Sequence, residues 1–378
     1  MKPASKPLKV ALISSGLGHV LRGVEVWMLE LARLLPRERV EVLLWSGGQL
    51  AGAPAGYSSL HGLSRDAALI SKASWHRRYM FEQWSVLPAT ILRLREEQVD
   101  IAYCGDPVLS WHLNRFQKLH GARVVFMNGM RLSPNWARPF GGVHLLAQPY
   151  LEQARQDIGV EAARNFFAVP HCADVATFRP ASPVEKAQAR AQWNLSPEDY
   201  LILTIGPLGN VSGKRLEWLA QELQSLDRRI KLVHAGVDED GRDEVMRQVQ
   251  TALGDRVHFC GRVPRPEMPR LYQAADVYSL GSLAEPFSIA ILEAMASGLP
   301  IVHHNDPVMM WQTSEGGLPV SMTTRGEAGA AIQKLAADPV LCQQKSQAAR
   351  HLAETRYHPA TVCADLITAW QSLLAPSA

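Results

Sequence analysis

The 378-residue chain has five cysteines, at 104, 172, 260, 342 and 363, and no Cys-x-x-Cys pair. An odd, scattered set argues against a disulfide framework or a zinc site and fits a reducing, cytoplasmic setting. No apolar run approaches membrane length, and the first, 10–13, is too short for the core of a secretion signal. An excess of charge is lacking too. The 39 Lys and Arg nearly balance 36 Asp and Glu, leaving +3, so no whole-chain attraction to nucleic acid or to an acidic membrane is expected. There is no short-period repeat, no low-complexity tract and no metal-ligand spacing. His303 and His304 adjoin at a strand end, where neighbouring side chains point to opposite faces, so no metal is expected there. What remains is an ordinary globular composition, 47% hydrophobic and 20% charged, in a chain long enough for two domains.

Short apolar runs alternate with helical patterns. In the first half the runs are 9–15, 40–46, 99–105, 122–129, 143–148 and 165–170; between them, 24–35 and 80–98 carry apolar residues three and four apart. The stretch 178–183 holds two prolines and reads as a linker. The alternation restarts with runs at 200–206, 230–236, 256–261, 276–281 and 300–304. Helical segments lie at 215–226, 242–253, 268–275 and 288–297, and a helical pattern extends over 340–374. Runs rich in Val, Ile and Leu fit parallel strands covered on both faces. The expected fold class is α/β: two doubly wound, Rossmann-like domains facing a central cleft. The expected domains are 1–180, 181–357, and a C-terminal helix within 358–378 that packs back toward the first domain.

The most informative stretch runs from Glu285 to Glu293. The first carboxylate lies in a Pro-containing loop, and the second lies inside the helix that opens after it. Six helix positions span roughly 9 Å, about the reach from a sugar past a pyrophosphate to a ribose. The N–H groups of Phe287, Ser288 and Ile289 would face the phosphates. A second candidate is the loop Ser14-Ser15-Gly16-Leu17-Gly18-His19, which follows the first strand and opens the first helix. Bare backbone N–H groups there suit a phosphate or a sugar. The glycines lack the full spacing of a dinucleotide fingerprint, which makes an oxidoreductase the weaker reading.

Together with 257–261 and 271–277, the stretch 284–300 resembles the retaining family 4 glycosyltransferases, whose fold is termed GT-B. The resemblance covers nearly the whole chain and is strongest over about 200–317. It implies that Glu285 holds donor-sugar hydroxyls, that Glu293 holds the ribose, and that Phe287, Ser288 and Ile289 offer N–H groups. Ser288 stands where the family usually has Gly. Residues from Gly206 to Lys214 and Arg215 resemble the pyrophosphate-binding segment; Lys214 matches the usual lysine, while Pro207 replaces a common arginine, a charge that Arg215 would supply unless it is only a solvated helix-start residue. The resemblance also assigns Gly16, Gly18, Arg262 and Val263 to the donor site.

It implies a first domain that binds the acceptor, with Arg22 and His171 as candidate contacts. Arg22 reads equally as a surface residue, and His171 as a satisfied structural histidine. Asn128 stands where many members carry a histidine beside the transferred sugar, and an amide cannot act as a base. His19 is the other histidine near the expected reaction centre, or a loop residue shaping the acceptor side. The implied partners are a nucleotide-diphosphate sugar, UDP-linked first and GDP-mannose second, and a hydroxyl acceptor such as a glycan, a lipid-linked glycan or a small molecule. The activity implied is hexosyl transfer with retention, in bacterial glycan or glycoconjugate synthesis, with no cofactor and no metal required. A sugar-nucleotide epimerase and a non-catalytic binding subunit on the same fold stay open. Residues 74–84 mix aromatic and basic side chains, which reads either as peripheral membrane contact or as a helix start with a buried aromatic face.

Overall fold

The computed structural model describes residues 6–20 and 23–375. The chain forms two compact units, Met1–His171 with Ala360–Ala378, and Cys172–Pro359. In the first unit the strands are β1 (Leu8–Ser14), β2 (Val40–Ser46), β3 (Tyr57–Ser59), β4 (Ile101–Cys104), β5 (Arg123–Met127), β6 (Gly142–Leu145) and β7 (Phe166–Ala168). They form one parallel sheet in the order β3-β2-β1-β4-β5-β6-β7. The second unit contains β8 (Tyr200–Ile205), β9 (Ile230–Ala235), β10 (Val257–Gly261), β11 (Val277–Ser279), β12 (Ile301–His304) and β13 (Gly317–Val320). Its parallel order is β10-β9-β8-β11-β12-β13.

Both sheets are doubly wound. Each grows outward from a central first strand and then reverses, which puts a switch point between β1 and β4 in one unit and between β8 and β11 in the other. The central strands are buried from end to end, as in Ile101–Cys104, because helices cover both faces. At β2 the side chains of Val40 and Val42 are buried while Glu41 between them is exposed. The apolar runs of the sequence coincide with these strands to within one or two residues at most ends. Two short strands were not legible. β3 has three residues, and β13 carries Pro319, which suits an edge strand but weakens its pattern.

Helix starts differ more. The helices Pro107–Arg115, Gln148–Ile158, Pro183–Gln192, Pro307–Thr313 and Pro339–Thr355 all hold proline in the first two positions, where its missing N–H is harmless. Pro183 therefore opens a helix rather than extending a linker, with a capping box between Ser182 and Glu185. The stretch 178–183 lies inside the second unit, where Phe178 is buried and its carbonyl accepts from Arg350 Nη1 at 2.9 Å. The long terminal pattern divides into Pro339–Thr355 and Pro359–Leu374, since the residue before a proline resists helical backbone. The last helix belongs to the first unit: Trp370 meets the buried Tyr103 edge-on, with ring centroids 5.5 Å apart.

Several histidines are locked inside these cores. In the first unit Trp27 Nε1 donates to Tyr103 Oη at 3.1 Å. Tyr103 Oη lies 2.6 Å from His144 Nδ1, and His144 Nε2 lies 2.7 Å from Val169 O. A carbonyl only accepts, so Nε2 carries the proton and Nδ1 accepts from the tyrosine. Burial pushes His144 down to about 4 and His171 to about 3. In the second unit it pushes His234 and His303 to about 4. Below the ordinary histidine value near 6.5 the unfolded chain therefore binds more protons than the folded one, and stability falls as pH falls. Asp106, which burial raises to about 6, and Glu293, which burial also raises, act in the opposite sense, but they are two groups against four. Thermal melts are expected to show a falling midpoint from pH 7 to pH 4.5, with each net proton worth about 1.4 kcal/mol per pH unit. A flat profile over that range would contradict the buried neutral imidazoles.

Candidate active site

The loop after β8 and the loop after β11 meet at the switch point of the second unit. Glycines permit the approach. A Cβ on Gly281, after β11, would stand 2.5 Å from Arg215 O, while on the other side of the β8 end a Cβ on Gly236, after β9, would stand 1.7 Å from Gly206 O. A Cβ on Gly206 would press within about 3.0 Å of the aliphatic stem of Lys214. That stem therefore lies over Gly206 and carries its ammonium to Glu285, with Nζ 2.6 Å from Oε1. The two residues are 71 apart in sequence. Their side chains are mostly buried, at 22% and 10% exposure, which strengthens the pair relative to a surface one.

Beyond Glu285 the chain turns into the helix Ile289–Ala296. Ser288 caps it, its Oγ accepting from Ile291 N at 3.4 Å. The Ser288 N–H, expected to face phosphate, instead donates to Gln312 Oε1 at 3.3 Å. Phe287 is buried, with its ring against Trp311 and Tyr357. Glu293 is buried on the same helix and paired with Arg265. Burial pushes its carboxyl up, and the Arg265 guanidinium opposes that shift. Arg265 stands in the turn Arg265–Glu267 that follows β10, three residues beyond Arg262. Sequence reasoning named Arg262 and Val263 there and missed Arg265. The structure leaves Arg262 exposed and Val263 half-buried.

Arg215 occupies left-handed backbone (φ 52°) at the start of the helix Leu216–Leu223. Its guanidinium donates to Met322 O at 2.9 Å and Gly281 O at 3.3 Å, and it stacks on Trp218. In this conformation it braces the two loops.

In the first unit, Gly16 and Gly18 follow β1 in a tight turn, with Val20 N donating to Gly16 O at 2.9 Å. Gly18 has φ +87°, and a Cβ there would strike Gly48. His19 lies against Gly48, and its buried Nε2 has no hydrogen-bond partner among the described residues. Arg22 lies outside the described residues. His171 is buried edge-on to Trp27, with centroids 4.4 Å apart. Asn128 spends its amide on its own loop: Nδ2 donates to Leu132 O and Oδ1 accepts from Leu132 N, both at 2.8 Å.

The β1–β4 switch point also holds a knot that the sequence did not reveal. Arg65 forks onto Glu82, Nε to Oε2 at 2.7 Å and Nη2 to Oε1 at 2.5 Å, and both residues are buried. Ser15 N donates to Asp106 Oδ2 at 2.6 Å, and Ser15 Oγ lies 3.3 Å from Glu82 Oε1. These residues share no local motif; only the fold gathers them. Among the described residues, no cluster of three or more His, Cys, Asp or Glu side chains is placed to hold a metal ion. Gly236→Ala is expected to lower the melting temperature, by overpacking worth about 1–3 kcal/mol. An unchanged melt would show that the loops after β8 and β9 can separate freely.

Residues 199–338 match the profile of the family described as glycosyl transferases group 1. Among curated relatives, a D-inositol 3-phosphate glycosyltransferase of Mycobacteroides abscessus is 28% identical over 145 residues, covering 37% of this chain and 30% of that protein. A mannosylfructose-phosphate synthase of Agrobacterium fabrum is 28% identical over 158 residues, covering 39% and 34%. The chain thus spans about a third of the length of these relatives. Solved structures align over nearly its whole length. Sucrose-phosphate synthase from Thermosynechococcus elongatus gives a TM-score of 0.79 at 18% identity, covering 98% of this chain and 100% of that one. Anabaena HepE gives 0.75 at 18% identity, covering 97% and 100%. With two doubly wound parallel sheets, the chain has the GT-B fold of these solved structures, and its segment 199–338, which holds the paired glutamates of the acidic stretch, is similar to the glycosyl transferases of group 1.

Proposed function

We propose that the chain transfers a hexosyl group from a nucleotide-diphosphate sugar to a hydroxyl acceptor, with retention at the anomeric carbon. The observation that carries this reading is the Lys214–Glu285 pair at 2.6 Å, set at the β8–β11 switch point before a helix start and a second buried glutamate. Open α/β sheets bind ligands at that position. UDP is the favoured nucleotide and GDP-mannose the second candidate. Support for UDP comes from HepE, whose solved structures hold UDP with glucose and UDP-glucose.

On donor binding, Lys214 turns from Glu285 to the diphosphate and Glu285 takes sugar hydroxyls. Glu293, paired with Arg265 while the site is empty, takes the ribose. The acceptor oxygen then approaches C1 from the face on which the diphosphate departs. The bond from C1 to the phosphate oxygen breaks, and its electron pair stays on that oxygen. A new bond forms from C1 to the acceptor oxygen, whose proton passes to the departing phosphate. No protein base is needed, consistent with an Asn128 amide engaged by Leu132. The chain's part is to position the reactants and to stabilise charge, through Lys214 and the positive end of the helix Ile289–Ala296.

Glu285→Ala is expected to leave the fold intact and lower turnover about 100-fold or more. Lys214→Ala is expected to weaken nucleotide affinity about tenfold. The first experiment is a thermal-shift screen against UDP, GDP, ADP and their sugar conjugates without added metal. A ligand at 100 times its dissociation constant adds about 2.7 kcal/mol. A shift with one nucleotide family, followed by transfer to an acceptor, supports the reading. A shift with release of a free epimer favours the epimerase, and binding without turnover favours a non-catalytic subunit. No shift with any nucleotide, from folded protein, would count against the transferase and the epimerase and favour the non-catalytic reading.

The acceptor would be a glycan or glycoconjugate, and the helix Trp75–Glu96 is a candidate for contact with a membrane bearing it. Trp75, Phe81 and Trp84 are 49%, 38% and 40% exposed, so these aromatic side chains are not buried as the alternative reading expected. Arg77 stands beside it. No helix among the described residues is long and apolar enough to cross a membrane, so the contact would be peripheral. Co-sedimentation with anionic vesicles at low salt is expected and should weaken in Trp75→Ala/Trp84→Ala protein. Absence of sedimentation would remove the membrane from the proposal.

A further inference from the structure

Two backbone crossings join the units, at His171/Cys172 and at Pro359/Ala360. Just inside the second unit they are tied together, for Ala173 N donates to Tyr357 O at 2.8 Å. Tyr357 is fully buried, and its hydroxyl donates to Gln312 O at 2.8 Å. Gln312 is fully buried as well, near the end of the helix Pro307–Thr313. Its side-chain amide takes both backbone groups of Ser288: Oε1 accepts the N–H at 3.3 Å, and Nε2 donates to the carbonyl at 2.8 Å. The Phe287 ring packs against those of Tyr357 and Trp311, with centroids 6.1 and 6.4 Å away.

An amide that engages the N–H and the C=O of one residue fixes the peptide planes on both sides of it. The carbonyl also accepts from Leu292 N at 3.3 Å, but the N–H has Gln312 as its acceptor, and leaving a buried donor unpaired is costly. The short loop from Glu285 to the helix start is therefore oriented from outside itself. We infer that Gln312 is the positioning residue of the acidic loop, and that Tyr357 links that loop to both crossings between the units. Gln312 acts through Ser288 and places Glu285 and the helix start against the donor. The consequence for catalysis rests on the transferase reading; the clamp itself does not. A shift of the backbone at the crossings reaches the donor loop along Ala173, Tyr357, Gln312 and Ser288, and occupancy of the donor loop reaches the crossings by the same route.

The test compares Gln312→Leu, Tyr357→Phe and Gln312→Glu with the unaltered protein. In ligand-free Gln312→Leu, amide hydrogen exchange over 285–292 is expected to speed about tenfold or more, as loss of one buried hydrogen bond implies. Exchange over Tyr200–Ile205 should stay unchanged. UDP affinity and turnover should fall by a similar factor. Tyr357→Phe keeps the ring contacts and should give a smaller change in the same direction. A carboxylic acid at 312 can both accept from Ser288 N and donate to Ser288 O, whereas a carboxylate cannot donate. Turnover of Gln312→Glu, relative to the unaltered protein, should therefore recover as pH falls from 8 to 6. Unchanged exchange over 285–292 in folded Gln312→Leu overturns the inference. If that variant does not fold, unchanged exchange and turnover in Tyr357→Phe overturn it instead. Failure of the unaltered protein to bind UDP would count against the nucleotide assignment, while the exchange result would still decide the clamp.

Discussion

The second unit is organised around an approach of backbones that only glycine allows. Gly206 and Gly236 cross so closely that one methyl group would nearly coincide with a carbonyl oxygen. Gly281 admits the backbone of residues 214–215 in the same way. Close packing of this kind brings Lys214 from one loop and Glu285 from another to a single hydrogen bond. It also fixes the shape of the Arg215 turn, whose left-handed backbone is stabilised by carbonyl acceptors on two neighbouring loops. Charge pairing here is a consequence of loop geometry, and loop geometry is a consequence of missing side chains.

The first unit solves the equivalent problem differently. Its glycines also lie back to back, Gly18 against Gly48 and Gly47 against the Ser15 carbonyl. Its polar groups, however, are turned inward. Arg65, Glu82, Ser15 and Asp106 satisfy one another under the loop instead of presenting charge at its rim. A buried pair of this sort adds little net stability over an apolar packing, yet it is costly to break once formed. Its value lies in fixing one conformation of the turn after β1. A fully buried ion pair under the first loop and a partly exposed one at the second give the two sheet ends different mechanical characters.

The sequence made most of this architecture legible. Continuous apolar strands such as Ile101–Cys104 stand out because both faces are buried, and Arg242–Leu253 was legible to the residue because its period and its glycine ends agree. The edge strands β3 and β13 were missed, and so were the proline-led helices Pro107–Arg115, Gln148–Ile158, Pro183–Gln192 and Pro307–Thr313, because a proline at a helix start reads locally as a breaker. At the site, Lys214 and Glu285 were visible as motif residues, but their contact was not, since 71 residues separate them. Arg265 and Gln312 carry no motif, and only the folded chain brings one to Glu293 and the other to Ser288. The engagement of Asn128 with Leu132 and of Arg215 with two carbonyls is likewise tertiary: the residue types permitted several roles, and packing chose among them.

The last helix has a consequence for synthesis. The second unit is built from one uninterrupted segment, so it can fold as soon as residue 359 clears the ribosome. The first unit cannot finish then, although its strands emerge earlier, because Tyr103 lacks Trp370 until the final residues arrive. Domains tend to complete in the order in which they are made; here the unit begun first is the one completed last. For that interval its core stays open at the place where the terminal helix will dock, so damage to the C-terminus is felt at the opposite end of the chain.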